Sequence, residues 1–393
     1  MHAKRARVVV TGYVGLLPAG GVSWDYLQYV LGFQALGCDV LYLEDTQQWP
    51  SYNASGGSID CHENIQYLHA VMRLLGLSDR WAYRDEVSGV WFGKTQADVE
   101  AFLRSADVFV NISCSSPMRE LTERIPIRVL IDTDPMFTQV QCLTGVNMYQ
   151  QPSALPQMLA AHTHLFSFGE NIGQPDCAVP TLGREWIATR QPVALGLWDT
   201  AAARPADGAY TTVMNWTAAR AFAYDGRQWG QKNTEFLRVL ELPSRIPHVP
   251  FAVAVGQTTG DRFPAADVTS AGWRVDDPRR IAADVDSYRN YIWASRGEFS
   301  VAKHTYVQAN TGWFSCRSAC YLAAGRPVVT QETGWSKTIP SGSGLFTFRT
   351  EDEAVAAITE IERDPARHGA AARKIAHEMF DSARVLGAML DRL

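Results

Sequence analysis

Residues 295–334 hold the groups best suited to gripping an anion. After the turn Thr311-Gly312-Trp313, the run Ser315-Cys316-Arg317-Ser318 places two hydroxyls and a guanidinium where a helix can begin. Ala319 to Ala324 extends that helix. Gly325-Arg326-Pro327 stops it, since Gly accepts left-handed dihedrals and Pro cannot continue the ladder, and Val328-Val329-Thr330 reads as a short buried strand. The free amides and positive dipole end of such a helix suit a phosphate or diphosphate. Gln331-Glu332-Thr333-Gly334 then emerges at the carboxyl end of the strand, where side chains and amides can pair with hydroxyls. A second group of chemical interest is Asp132-Thr133-Asp134, which follows the strand-like run Ile127 to Ile131. Two carboxylates at that end of a buried parallel strand lie on the ligand-facing edge of the sheet and can orient hydroxyls or an amine. Asp-Pro turn chemistry accounts for the same letters equally well.

The elements that must position these groups alternate between strand and helix. Arg7 to Thr11 is a β-branched run ending in Gly12-Tyr13-Val14-Gly15, and Pro18-Ala19-Gly20-Gly21 follows. A helix is expected from about Ser23, capped by its hydroxyl, with Leu27, Val30, Leu31, Phe33 and Leu36 apolar until Gly37 ends it. Val40 to Leu43 is the next strand. Glu44 at its end stands where a dinucleotide ribose ligand would, but Gly12, Gly15, Gly20 and Gly21 do not make G-x-G-x-x-G. Helices over 65–75 and 95–104, and strands over 107–112 and 165–168, continue the alternation. An extended crossing over 186–198 supplies a boundary. The second half opens with a strand over 210–214 and a helix after Gly230-Gln231-Lys232-Asn233. A strand over 251–255 follows, then a helix from Asp276-Asp277-Pro278 with Ile281, Val285, Tyr288 and Ile292 on one stripe. Thr350 caps a helix over 354–362, and one long terminal helix is expected over 370–393.

The chain of 393 residues exceeds the usual size of a single core, so two domains are expected. A formal charge of -5 gives no basic stripe for a nucleic-acid backbone, and no apolar run is long enough to span a bilayer. Seven cysteines without a paired framework read as free thiols in a reducing cytoplasm, and Met1-His2-Ala3-Lys4-Arg5 leads into a strand rather than a secretory leader. Cys61-His62 and Cys316 with Cys320 are too sparse for zinc, so no metal site is expected.

Three matching pieces, Gly312-Trp313-Phe314-Ser315, Ala323-Ala324-Gly325-Arg326-Pro327-Val328-Val329 and Gln331-Glu332-Thr333-Gly334, resemble the donor region of GT-B glycosyltransferases. The resemblance extends over 205–393 and 7–45 and is weak over 46–200, where an acceptor would be read. It departs from the retaining pattern at Gly312 and Cys320, where paired glutamates would fall, and from the plant-type inverting pattern at Asn310, where a His would fall. It implies an α/β chain of two Rossmann-like parallel-sheet domains facing across a cleft. These are an acceptor domain at 1–198, a donor domain at 199–375, and a terminal helix at 376–393 crossing back to the first. It also implies a cytoplasmic, metal-independent transferase that uses a nucleotide-sugar as co-substrate and no cofactor. The acceptor would be a small molecule, glycan or nucleobase, and a homodimer stays open. Lys232, Lys303, Arg317, Ser315 and Ser318 would hold the donor diphosphate, with Arg227 a substitute for a missing family arginine. Gly312, Trp313 and residues 331–334 would surround the nucleoside and sugar, Gly20 and Gly21 would let backbone approach the sugar, and Ala271-Gly272-Trp273-Arg274 would pack near the base. Asp25 stands close to the family's catalytic His, with Asp132 and Asp134 as alternatives for the base. A nucleotide-sugar binder without turnover, or an epimerase or hydrolase on the same scaffold, remains a rival reading.

Overall fold

The computed structural model describes residues 5–50, 60–148, 155–199, 205, 208–256 and 261–393. The first four residues, and with them the start of the proposed leaderless terminus, lie outside that set. Among the described residues the first sheet is built from β1 (Arg7–Thr11), β2 (Asp39–Glu44), β3 (Trp81–Arg84), β4 (Trp91–Gly93), β5 (Val108–Ile112), β6 (Ile127–Asp132), β7 (His164–Ser167) and β8 (Ile187–Ala188). Their order is β4-β3-β2-β1-β5-β6-β7-β8, parallel throughout except for the β3–β4 pair. Next come β9 (Tyr210–Met214) and a hairpin of β10 (Phe222–Tyr224) with β11 (Arg227–Trp229). The second sheet adds β12 (Phe251–Val255), β13 (Arg274–Asp276), β14 (Gly297–Ser300), β15 (Val328–Gln331) and β16 (Leu345–Phe348) to β9, in the all-parallel order β13-β12-β9-β14-β15-β16. Near-continuous apolar runs such as Val8-Val9-Val10 and Phe251 to Val255 form these strands because helices cover both faces of each sheet and leave the runs buried. Each sheet reverses its order beside β1 or β9, which places ligand-facing loops at the carboxyl ends there.

Local departures from the sequence reading trace to contacts between distant segments. The helix after β1 begins at Gly20, not Ser23. Its Gly20 amide donates to the Ala282 carbonyl at 2.9 Å, so no hydroxyl cap is needed, and the Ser23 hydroxyl turns back to donate to Ala19 O. The stripe after Pro278 is split into Pro278–Ile281 and Val285–Trp293, because Asp284 accepts from the Ser287 amide and starts a new helix. The terminal helix is likewise two, Pro365–Met379 and Ser382–Leu390. Asp381 caps the second, and the Phe380 ring stacks on Phe314 at 5.2 Å. The Ser382–Leu390 helix packs against Gly20–Ala35, where a Cβ on Gly32 would lie 2.6 Å from Leu386. Thr350 and Glu353 form the expected capping box. Trp273 is not near a ligand edge. It is 1% exposed and packs among Phe236, Phe251 and Phe299 behind the second sheet. No described helix is long and apolar enough to cross a membrane.

Candidate active site

The loops at the carboxyl ends of β6 and β14 meet across the two domains. β6 ends in Asp132, whose four acceptor positions are used internally. One oxygen accepts from the Thr138 hydroxyl at 2.6 Å and the Asp134 amide at 3.2 Å, and the other from Gln139 and Ser167 at 2.8 Å each. Burial raises the Asp132 pKa and these bonds oppose it. Asp134 faces the second domain, where Lys303 and the Tyr306 hydroxyl both bond its carboxylate. The Lys303 ammonium also stands over the Phe137 and Tyr306 rings, at 4.7 and 5.1 Å. The Trp313 indole stacks near Tyr306 at 4.5 Å and donates to Thr133 O at 3.1 Å. The same seam therefore binds Asp134 by charge and Thr133 by backbone.

Beside this seam lies a cavity of ≈ 230 Å³ whose walls include Asp25, Asp132 and Asp134 together with Tyr13, Tyr26, Ser113 and Thr138. Asp25 is half-buried, in the second turn of the Gly20–Ala35 helix rather than the first. Burial pushes its carboxyl up to about 7, against the bond from the Cys316 thiol and the nearby Arg317 charge, while Asp134 adds to the rise. This carboxyl is poised near neutral pH.

The donor-side cations are arranged unequally. Arg317 is fixed on three sides, by Glu298 Oε1, Val213 O and Ser300 Oγ, at 2.5 Å each. Burial alone would lower its pKa, and the Glu298 carboxylate outweighs that and raises it. Lys232, at the start of Lys232–Phe236, has no hydrogen-bond or ion-pair partner among the described residues. Its pKa is held well below the ordinary lysine range by burial and then by the Arg317 and Lys303 charges. Ser315 occupies the N-cap position of Cys316–Ala323 without capping it, and the buried Ser318 hydroxyl one turn in has no partner. Arg227 is exposed on the β10–β11 hairpin.

Residues 310–336 are pinned as a frame. Gly312 (φ 79°) donates its amide to Thr333 O at 2.7 Å, and the Thr333 hydroxyl donates to Trp313 O at 2.6 Å. Gly334 (φ 95°) lies so near Asn171 that a Cβ would stand 2.2 Å from its side-chain nitrogen. Gln331 donates to Glu235 and accepts from the Ala302 amide, so both ends of its amide are used. Glu332 is buried and accepts from the Gly334 amide, Ser336 and Thr347. Burial alone would raise its pKa, and those bonds lower it. Gly20 and Gly21 lie against the second domain. A Cβ on Gly20 would fall 2.1 Å from Asp284 O and one on Gly21 3.2 Å from the Tyr288 ring. Glu44, the residue at the dinucleotide position, is occupied by the protein itself. It accepts from the Gly15 and Leu16 amides and the Tyr42 hydroxyl, with its pKa raised to about 7 by burial.

The sequence reading did not single out Tyr306, Asn171, Glu298 or the Tyr13–Tyr26 pair. Glu298 left little signal, since Gly297-Glu298-Phe299-Ser300 has one large apolar residue and does not read as a buried strand. Tyr306 and Asn171 left none, since their role depends on a partner in the other domain.

The sequence matches no protein-family model and no curated protein. Solved structures do match over almost the whole chain. An α-glucosyltransferase in complex with UDP and a 13-mer DNA containing an HMU base aligns with a TM-score of 0.56 at 11% identity, covering 98% of this chain and 99% of that one. The chain has the GT-B fold. Two further structures share this architecture. AviGT4, a glycosyltransferase involved in avilamycin A biosynthesis, aligns with a TM-score of 0.52 at 11% identity over 98% of this chain and 96% of its own. Sucrose-phosphate synthase from Thermosynechococcus elongatus aligns with a TM-score of 0.51 at 12% identity over 99% of each. In GT-B terms the Asp134–Lys303 seam lies in the cleft between the two Rossmann-like domains.

Proposed function

We propose that this chain transfers a sugar from a nucleotide-sugar to an acceptor bound against the first domain. The observation that carries the reading is Lys232, a half-buried lysine with no ion pair or hydrogen bond among the described residues, near Arg317 and Lys303 and a helix start with an orphan Ser318 hydroxyl. A diphosphate supplies the missing charge and bonds. Arg317 contributes mainly field, three of its five N–H donors being held by Glu298, Val213 and Ser300. Gln331, Glu332, Thr333 and Gly334, with Gly312 and Trp313, form the frame for nucleoside and sugar, Glu332 acting by shaping the 334–336 turn.

In the transfer, an acceptor oxygen forms a bond to the anomeric carbon while the bond from that carbon to the diphosphate breaks. The electron pair leaves on the diphosphate, where Lys232 and the helix start stabilise it without a metal. The acceptor proton passes to Asp25, whose pKa of about 7 suits a general base at neutral pH. Asp132 holds the loop that presents Asp134, and Asp134 with Lys303 closes the cleft. Proton removal by Asp25 on the acceptor side implies inversion at the anomeric carbon.

The test is thermal shift with a panel of nucleoside diphosphates and nucleotide-sugars, followed by product analysis. At least one nucleotide should raise Tm by mass action, and Lys232→Ala should lose that shift. Turnover of donor with no acceptor product would favour the epimerase or hydrolase reading, binding with no turnover the inactive one, and no nucleotide binding would end the proposal.

A further inference from the structure

We infer that the acceptor is a single neutral polyhydroxylated ring, a monosaccharide- or cyclitol-sized molecule, seated in the cavity beside Asp25. This rests on the transferase reading above and adds the acceptor class to it. Size is the first argument. The ≈ 230 Å³ of the cavity falls below the roughly 300–1,000 Å³ of pockets that enclose drug-sized ligands, so its interior takes one ring.

Chemistry is the second. A sugar hydroxyl both donates and accepts, so its site needs both functions. The hydroxyls of Ser113 and Thr133 are bonded to each other at 2.7 Å, and the Tyr26 phenol lines the same wall. Two hydroxyl protons and one internal bond leave one O–H of that pair able to donate. Thr138, whose proton is given to Asp132, retains its lone pairs as acceptors, and Gln141, whose Oε1 accepts from the Met148 amide at 3.1 Å, lines the same wall. Tyr13 and Tyr26 meet edge to face at 5.8 Å and supply an aromatic corner for the apolar C–H face of a ring. The wall is also held in a costly backbone form. Ser113 and Cys114, both non-glycine, have φ of 56° and 54°.

Charge is the third. Among the described residues the cavity lining holds no Lys or Arg, and the chain carries a net charge of -5, so a polyanion such as duplex DNA would lack the cationic track it requires. An ammonium is not called for either, because Asp134 already has Lys303 as its counter-ion.

The experiment is saturation-transfer NMR on the full chain with UDP present, using hexoses, pentoses, inositols, amino sugars, simple phenols and a short DNA duplex as probes. At least one neutral sugar or cyclitol should bind. Its affinity should fall about tenfold in Tyr26→Phe, which keeps the ring and removes one hydroxyl of the wall, and in Gln141→Leu, with Tm unchanged in Tyr26→Phe. Binding of phenols, DNA or amino sugars alone, no polyol binding, or polyol binding indifferent to both variants would overturn the inference. Calorimetry with UDP and the other common nucleoside diphosphates is run separately. Its failure would defeat the transferase reading, while the polyol arm, repeated without nucleotide, still decides the character of the cavity.

Discussion

The two walls of the cleft solve their electrostatics in opposite ways. On the first-domain wall Asp132 is saturated by four neighbouring donors, so that carboxylate is complete without a ligand. On the second-domain wall Arg317 is neutralised by Glu298 and Lys303 by Asp134, and Lys232 is left over. A saturated charge serves the fold and an unsaturated one waits for a partner. Location at the carboxyl edge of a sheet does not separate the two cases, but the count of bonds does.

The largest effect expected from this contrast is on stability. Asp132→Ala should cost about 3 kcal/mol or more, read by urea unfolding, because Thr138, Gln139, Ser167 and the Asp134 amide all lose a buried partner. A loss under about 1 kcal/mol would erase the distinction between the walls. Next comes Asp25→Asn, which should lower kcat by roughly 10²-fold with donor Kd nearly unchanged and an inverted product in the wild type. Because burial raises the Asp25 pKa to about 7, wild-type kcat should climb as pH rises through that value, and the limb should vanish in the variant. Retention of configuration with near-normal turnover would move the proton transfer to the donor phosphates.

Lys232→Met separates ligand binding from folding. Donor affinity should fall by about tenfold or more, a charge-assisted contact being worth on the order of 1.5–3 kcal/mol, while the ligand-free Tm holds or rises. The linkage sign agrees. A lysine depressed in the folded state binds fewer protons there than when unfolded, so stability gains as pH rises toward the ordinary lysine value, and Lys232→Met should flatten that gain. The smallest effect is expected at Glu332→Gln. Its partners are the Gly334 amide, Ser336 and Thr347, so donor KM should shift only a few-fold through the turn they form. A loss as large as that of Lys232→Met would make Glu332 a direct sugar ligand.

The order of strands and helices was legible because β-branched runs and 3.6-residue stripes are local signals. Val8 to Val10 needs no distant partner to read as a buried strand, nor does Thr350 with Glu353 to read as a cap. The misread helix start at Ser23 has a distant cause, since the carbonyl that satisfies Gly20 comes from Ala282. Residue type marked Arg317 and Lys232 alike as cations. Only the fold shows that Arg317 is held by Glu298, 19 positions away on a strand of the sheet, while Lys232 has no partner among the described residues.

The β10–β11 hairpin gives the cleft a thermal character of its own. Phe222 of the hairpin packs against Phe137 of the first domain at 5.4 Å, Phe137 packs against Tyr306 at 6.0 Å, and Trp229, Val140 and Met136 complete one apolar cluster shared by both domains. Parting the domains would expose these rings to water. Opening should therefore raise the heat capacity, and the closed form should loosen on cooling as the hydrophobic contribution weakens.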